Sequence, residues 1–199
     1  LESLPIVGET VEEGLARGAE LDARMRTLVR NVYRMYRMVE SVPLPMAVED
    51  ADLVIAHVTD FHNHPAAAGV VVEVARTFQA DLVINTGDFT DFGTPIEAEL
   101  LKGLAELEVT HLVVSGNHES PAVLDALERF PGLVPLDERQ TDVAGLRIAG
   151  YGDPAAQLPT APSIPPSEAR RMAQLINDDI QQANPRHDVI LVHNHRVAQ

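Results

Sequence analysis

No cysteine occurs among the 199 residues of this chain. Disulfides and thiolate metal ligands are therefore excluded, and any metal site must be built from imidazole, carboxylate and amide donors. Such hard and borderline donors suit Mn, Fe or Zn. Lysine is nearly missing too, since fourteen of the 15 basic residues are arginine. These residues show no leader pattern and no run of about 18 apolar residues that could span a bilayer. The chain begins at Leu1 rather than Met. The expectation is a processed or cut-out piece, with any membrane span lying outside it.

What is abundant is negative charge, net −15. It is uneven: residues 1–40 carry six Arg against seven acids, and residues 41–199 hold the remaining −14. So acidic a body repels a phosphate backbone, so no nucleic-acid surface is expected. An anionic substrate is still admissible, because bound cations reverse the local field. With 45% hydrophobic residues the chain is globular, and its length suits one domain plus an appendage.

Residues 9–40 read as a helix, with Leu21, Met25, Leu28, Val29, Val32, Tyr36 and Val39 at a 3.6-residue spacing. Arg24, Arg26, Arg30, Arg34 and Arg37 lie between them, and no acid occurs from 23 to 39. Two readings follow. The helix packs on the domain and offsets its acidity, or it is a basic amphipathic segment at a membrane surface or below an upstream membrane segment. Val42-Pro43-Leu44-Pro45 ends it as a linker. Residues 1–45 thus form a helix and linker, and 46–199 a domain. There, strands at 53–58, 82–85, 111–114 and 188–192 alternate with helices near 66–79, 95–107, 120–130 and 166–183. That alternation implies a largely parallel sheet with helices on its faces. Residues 133–150 suggest a meander with a hairpin near 143–150, and the five prolines of 153–166 a surface loop.

Four apolar runs end in potential ligands. They lead into Asp60-Phe61-His62, Gly87-Asp88-Phe89-Thr90-Asp91, Gly116-Asn117-His118-Glu119 and His193-Asn194-His195. In a parallel α/β sheet these ends converge on one edge. Imidazoles, carboxylates and an amide oxygen gathered there suit two divalent ions sharing a carboxylate, a pair able to clamp a phosphate and generate a hydroxide.

These four motifs, each after a strand and in this order across 53–195, resemble the calcineurin-like metallophosphoesterase superfamily. The resemblance implies an α/β fold, a layered β-sandwich with flanking helices, to which the N-terminal helix is added. It implies a phosphate-ester substrate and hydrolysis by a hydroxide held between two metals. Carried over, Asp60 and His62 bind one metal, Asp88 bridges both, and Asn117 and His193 bind the second. His118 is not a ligand but donates a proton to the leaving oxygen or stabilises the transition state. Glu119 would orient His118, and Asp91 would hold the loop or an outer hydrogen bond. The family's closing Gly-His-x-His element is not evident. Either His193 is the strand-end ligand and that element belongs to sequence outside this chain, together with the last strands, or His193-Asn194-His195 is itself the closing pair. His195 and His64 are near-site candidates.

His57 and His111 read as hydrogen-bonded core residues and His187 as a surface one. Phe61, Phe89 and Phe92 are either core or pocket wall. The functional expectation is a phosphatase or phosphodiesterase, manganese-dependent among the candidates, and membrane-associated in its full-length form or otherwise cytoplasmic. The competing expectation is a non-catalytic metal-binding scaffold with a degenerate site. Asn117 and His118 argue against it, since a scaffold has no need of a proton donor.

Overall fold

The computed structural model describes residues 5–38, 51–64, 66–157 and 164–197. The linker expected at 42–45 and the middle of the proline-rich loop fall outside them. Helix α1 spans Pro5–Met38. Three strand–helix units follow: β1 (Ile55–Val58) and α2 (Ala67–Thr77), β2 (Leu82–Asn85) and α3 (Pro95–Leu100), β3 (Thr110–Val113) and α4 (Pro121–Leu127). Strand β4 (Leu133–Pro135) then closes a four-stranded parallel sheet of order β1-β2-β3-β4.

A second, three-stranded sheet holds β5 (Arg139–Val143), β6 (Leu146–Tyr151) and β7 (Val189–Val192). Its hairpin turns at Ala144-Gly145, both with positive φ (51° and 80°), the twist that suits a two-residue hairpin loop. Helix α5 (Pro166–Gln182) carries the chain from β6 to its parallel neighbour β7.

Side-chain alternation sets the layers. Along β2 and β3, Val83 and Val113 face the helices, packing with Val71, Val72, Leu104, Val123 and Leu127. Leu82, Ile84, Leu112 and Val114 face the other way, onto Ile148 and Leu191 of the second sheet. The outer face of that sheet, with Ile190 and Val192, packs on Met172 and Ile176 of α5. The order is helices, sheet, sheet, helix: an α/β layered sandwich. Each fully enclosed Leu or Ile adds roughly 1.5–3 kcal/mol.

Several expectations are corrected. Helices cover only one face of the parallel sheet; the second sheet covers the other. The meander from 133 is split, with β4 in the first sheet and the hairpin in the second. The single helix expected over 95–107 is two pieces: α3, then a 3₁₀ turn at Lys102–Glu106. There Leu104 N–H bonds the carbonyl of Leu101 at 2.8 Å, and Gly103, the weakest helix former of the stretch, packs against Ala68. The proline-rich segment is not all surface, for Ala155 and Ile164 are buried together with Ala169.

Helix α1 lies on α2. Gly69 permits the approach: a Cβ there would fall 1.7 Å from Asp22 Oδ1. Arg26 pairs with Asp22 at 2.9 Å, and Arg30 reaches Glu73 of α2 at 3.1 Å. These contacts favour the reading in which the helix docks on the domain. Among the described residues no helix is long and apolar enough to cross a membrane.

Candidate metal centre

The strand ends of the parallel sheet do not simply stop; their loops are zipped together. After β1, Asp60 N–H donates to the Gly87 carbonyl (2.9 Å), His62 N–H to Asp88 (3.0 Å) and Asn63 N–H to Phe89 (3.2 Å). The first loop thus runs along the second. Asp60, His62 and Asp88 all hold left-handed backbone, with φ of 55°, 44° and 55°. Non-glycine residues take this conformation rarely, and such positions cluster where side chains are aimed for function.

The second and third loops touch through glycines. Gly87 has φ of 102°, and a Cβ on it would lie 2.3 Å from Gly116 N; one on Gly116 would lie 2.5 Å from Asp88 N. Across this contact Glu119, buried, accepts five hydrogen bonds. Oε2 takes Asp88 N–H and Gly116 N–H at 2.7 Å each, and Oε1 takes Phe89 N–H, Thr90 N–H and Thr90 Oγ1 at 3.0 Å each. Glu119 therefore fixes the Asp88 loop rather than the His118 ring for which it was expected. The base of the third loop is held as well: Ser115 donates from N–H and Oγ to Asp137, at 2.8 and 2.5 Å.

The donors converge on Asp88, which is 5% exposed. His62 Nε2 lies 3.6 Å and His193 Nε2 3.5 Å from its Oδ2. His118 backbone N–H donates to its Oδ1 at 3.1 Å. Asp60 stands 3.9 Å from His62 Nε2 and is exposed, steadied by Thr59 Oγ1 at 2.7 Å. One ligand atom each of His62, Asp88 and His118 lies within 4.8 Å of the others. The His62 and His118 rings meet edge to face with centroids 4.9 Å apart.

Hydrogen bonds assign the tautomers. His193 Nδ1 gives its hydrogen to the Thr86 carbonyl at 2.7 Å, which leaves a lone pair on Nε2. That lone pair faces the Asn117 oxygen at 3.2 Å and the Asp88 carboxylate at 3.5 Å. In the neutral ring three acceptors meet there with no hydrogen between them, an arrangement that a cation satisfies. His62 shows the pattern of a metal-binding histidine, Nδ1 lying 3.3 Å from Asp91 Oδ1 while Nε2 points to Asp88. Among the described residues no Arg or Lys forms an ion pair with Asp60, Asp88 or Asp91. The residues present fit divalent metal.

His118 Nδ1 donates to the Asp91 carbonyl at 2.8 Å. That bond raises its pKa, opposed by partial burial and reinforced by the carboxylates of Asp88, Glu119 and Asp91. The Asp91 loop is pinned by Glu97, which sequence reading passed over. Its carboxylate accepts from Asp91 N–H and Phe92 N–H (3.0 Å each), Thr94 N–H and Oγ1 (2.7 Å each) and Asn63 Nδ2 (2.5 Å). Burial pushes its pKa up, but these bonds, from Thr94 first, outweigh it and hold it at about 2. The signal was present: Thr94-Pro95-Ile96-Glu97 is a capping-box pattern.

The other candidates stand apart. His64 is exposed and accepts the Ala66 N–H at 3.3 Å. His195 is exposed and lines, with His193 and Asp60, a groove of about 490 Å³ beside β7. His57 borders the same groove and bonds Thr86 Oγ1 at 3.0 Å. It is exposed, not core, because β1 is the sheet edge that β7 does not cover. His111 is fully buried, as expected, but neither ring nitrogen has a hydrogen-bond partner among the described residues. His187 is half-buried and bonds Gln140 at 2.8 Å. Phe61 and Phe89 are core, whereas Phe92 is 85% exposed.

Residues 53–199 match the family model described as calcineurin-like phosphoesterase. The chain matches no curated protein.

Proposed function

We propose, since this chain belongs to the calcineurin-like phosphoesterase family, that it hydrolyses phosphate mono- or diesters at the centre around Asp88. Metal-dependent phosphoester hydrolysis is the activity of the domain at its coarsest; the ligand set and the roles below are our reading. The observation that carries it is the convergence of His62 and His193 on one Asp88 oxygen. Asp60 and His62 would hold one divalent cation, Asn117 and His193 another, with Asp88 between them and Mn, Fe or Zn as the candidates. Bound there, the cations supply Lewis-acid stabilisation of phosphoryl oxygens and a lowered pKa for water.

The remaining work belongs to the chain. Thr86 and Asp91 fix the rings of His193 and His62, and Glu119 holds Asp88 in place. His118 keeps Nδ1–H on the Asp91 carbonyl, and Nε2 has no hydrogen-bond partner among the described residues. With its pKa raised, the ring stays protonated to higher pH and can pass the Nε2 proton to the departing oxygen. The acidic body favours small esters over nucleic acid.

The test is turnover of aryl phosphate mono- and diesters by the Mn²⁺-loaded protein. Asp88→Ala is expected to abolish it. His118→Ala should lower it about 10²–10⁴-fold, more for alkyl than for aryl leaving groups, whose oxygen departs without a proton. No turnover, or turnover untouched by both substitutions, overturns the reading.

A further inference from the structure

Beside the donor cluster the surface turns apolar. Phe92, Ile96 and Leu100 are 85%, 75% and 62% exposed. They follow one another at intervals of four residues, and Ile96 and Leu100 share a face of α3. Scattered exposed apolar residues are ordinary, but a grouped patch marks an interaction site.

Two features set this patch apart. Phe92 is one residue from Asp91, whose carbonyl holds His118. Its backbone is also rigid: Asp91, Phe92 and Thr94 N–H groups all donate to Glu97, and Ser120 Oγ donates to the Gly93 carbonyl at 2.6 Å. The backbone that carries this large, solvent-exposed ring is thus held at a fixed place next to the residue that bonds His118. The chain also has no Arg or Lys from residue 77 to 101. The segment that carries the shelf contributes no cation for a second phosphate or an acidic sugar, and the net charge of −15 opposes polyanions.

We infer that Phe92, Ile96 and Leu100 seat the hydrocarbon part of an amphipathic phosphoester whose phosphate lies at the Asp88 centre. The substrate class is lipid-like: one phosphate and an apolar ester group. This rests on the proposed hydrolysis, because the position of the phosphate makes the ester group the natural occupant of the shelf.

The experiment is a chain-length series. Methyl, butyl and octyl p-nitrophenyl phosphodiesters are offered below their micelle concentrations to the Mn²⁺-loaded protein. Full burial of a methylene corresponds to about fourfold. An open shelf is expected to give about twofold per methylene, thus about a hundredfold in kcat/KM from methyl to octyl. The triple variant Phe92→Ser, Ile96→Ser, Leu100→Ser should show a flat series, its kcat/KM independent of chain length. Hydrolysis that ignores chain length, or a slope that persists in the variant, overturns the inference. If nothing is hydrolysed, calorimetry with alkylphosphonates of the same lengths decides. Affinity that rises with length in the parent alone retains the shelf while the hydrolase reading falls, and flat affinity overturns the shelf. Flat series together with a dimer that the substitutions dissociate assign the patch to a second copy, which also overturns it.

Discussion

At position 111 a fully buried histidine faces the helices from β3, opposite Val83 and Leu133 on the neighbouring strands. Burial alone pushes its pKa down from 6.5 to about 4. The unfolded chain therefore takes up its proton first, and the ring contributes stability above pH 6.5 that is lost as pH falls through 4. The loss amounts to about 3 kcal/mol. His111→Leu should remove it: urea unfolding at neutral and mildly acidic pH is expected to show a clearly smaller acid loss in the variant. Equal losses would sink this account. Residues like this were half legible. His57 and His111 both stand inside apolar strands, yet one lies on an open edge and the other in a closed core, which depends on what stacks above each strand. The strand-end donors were legible because each follows an apolar strand closely in sequence. The work of Glu119 was not, since its partners around Asp88 lie about 30 residues away in sequence.

Between elements, the loops after β2 and β3 meet backbone to backbone. A methyl on Gly116 would stand 2.1 Å from Asp88 Oδ1 as well as against its amide; the amide cannot withdraw without breaking its bond to Glu119, nor Oδ1 without breaking the one it accepts from His118 N–H. Gly116→Ala should therefore displace Asp88, lowering Mn²⁺ affinity at least about tenfold, the scale seen when the supports of metal ligands are lost. Calorimetric titration of Mn²⁺ into both proteins checks it; unchanged affinity would show that the loops yield freely. Element identity was largely readable because strand and helix periods differ along the chain. The stacking of two sheets was not, because β4 and β5 are separated only by Leu136, Asp137 and Glu138, and nothing in their local pattern tells which sheet each joins.

Over the whole molecule the charge of −15 opposes the approach of any anionic ester and favours that of cations. Salt screens both. Raising ionic strength from about 20 to about 200 mM should increase kcat/KM for a dianionic aryl phosphate a few-fold at saturating Mn²⁺, while weakening Mn²⁺ binding. A kcat/KM that falls with salt would point to a local positive field dominating the body. Within this fold, Asp60, His62 and Asp88 keep a backbone that glycine adopts without strain. Each such residue costs roughly 1–2 kcal/mol. Selection for heat resistance alone would drift toward glycine at these three places, and the hardiest descendants of this chain would be those that had lost the donors proposed for the metals.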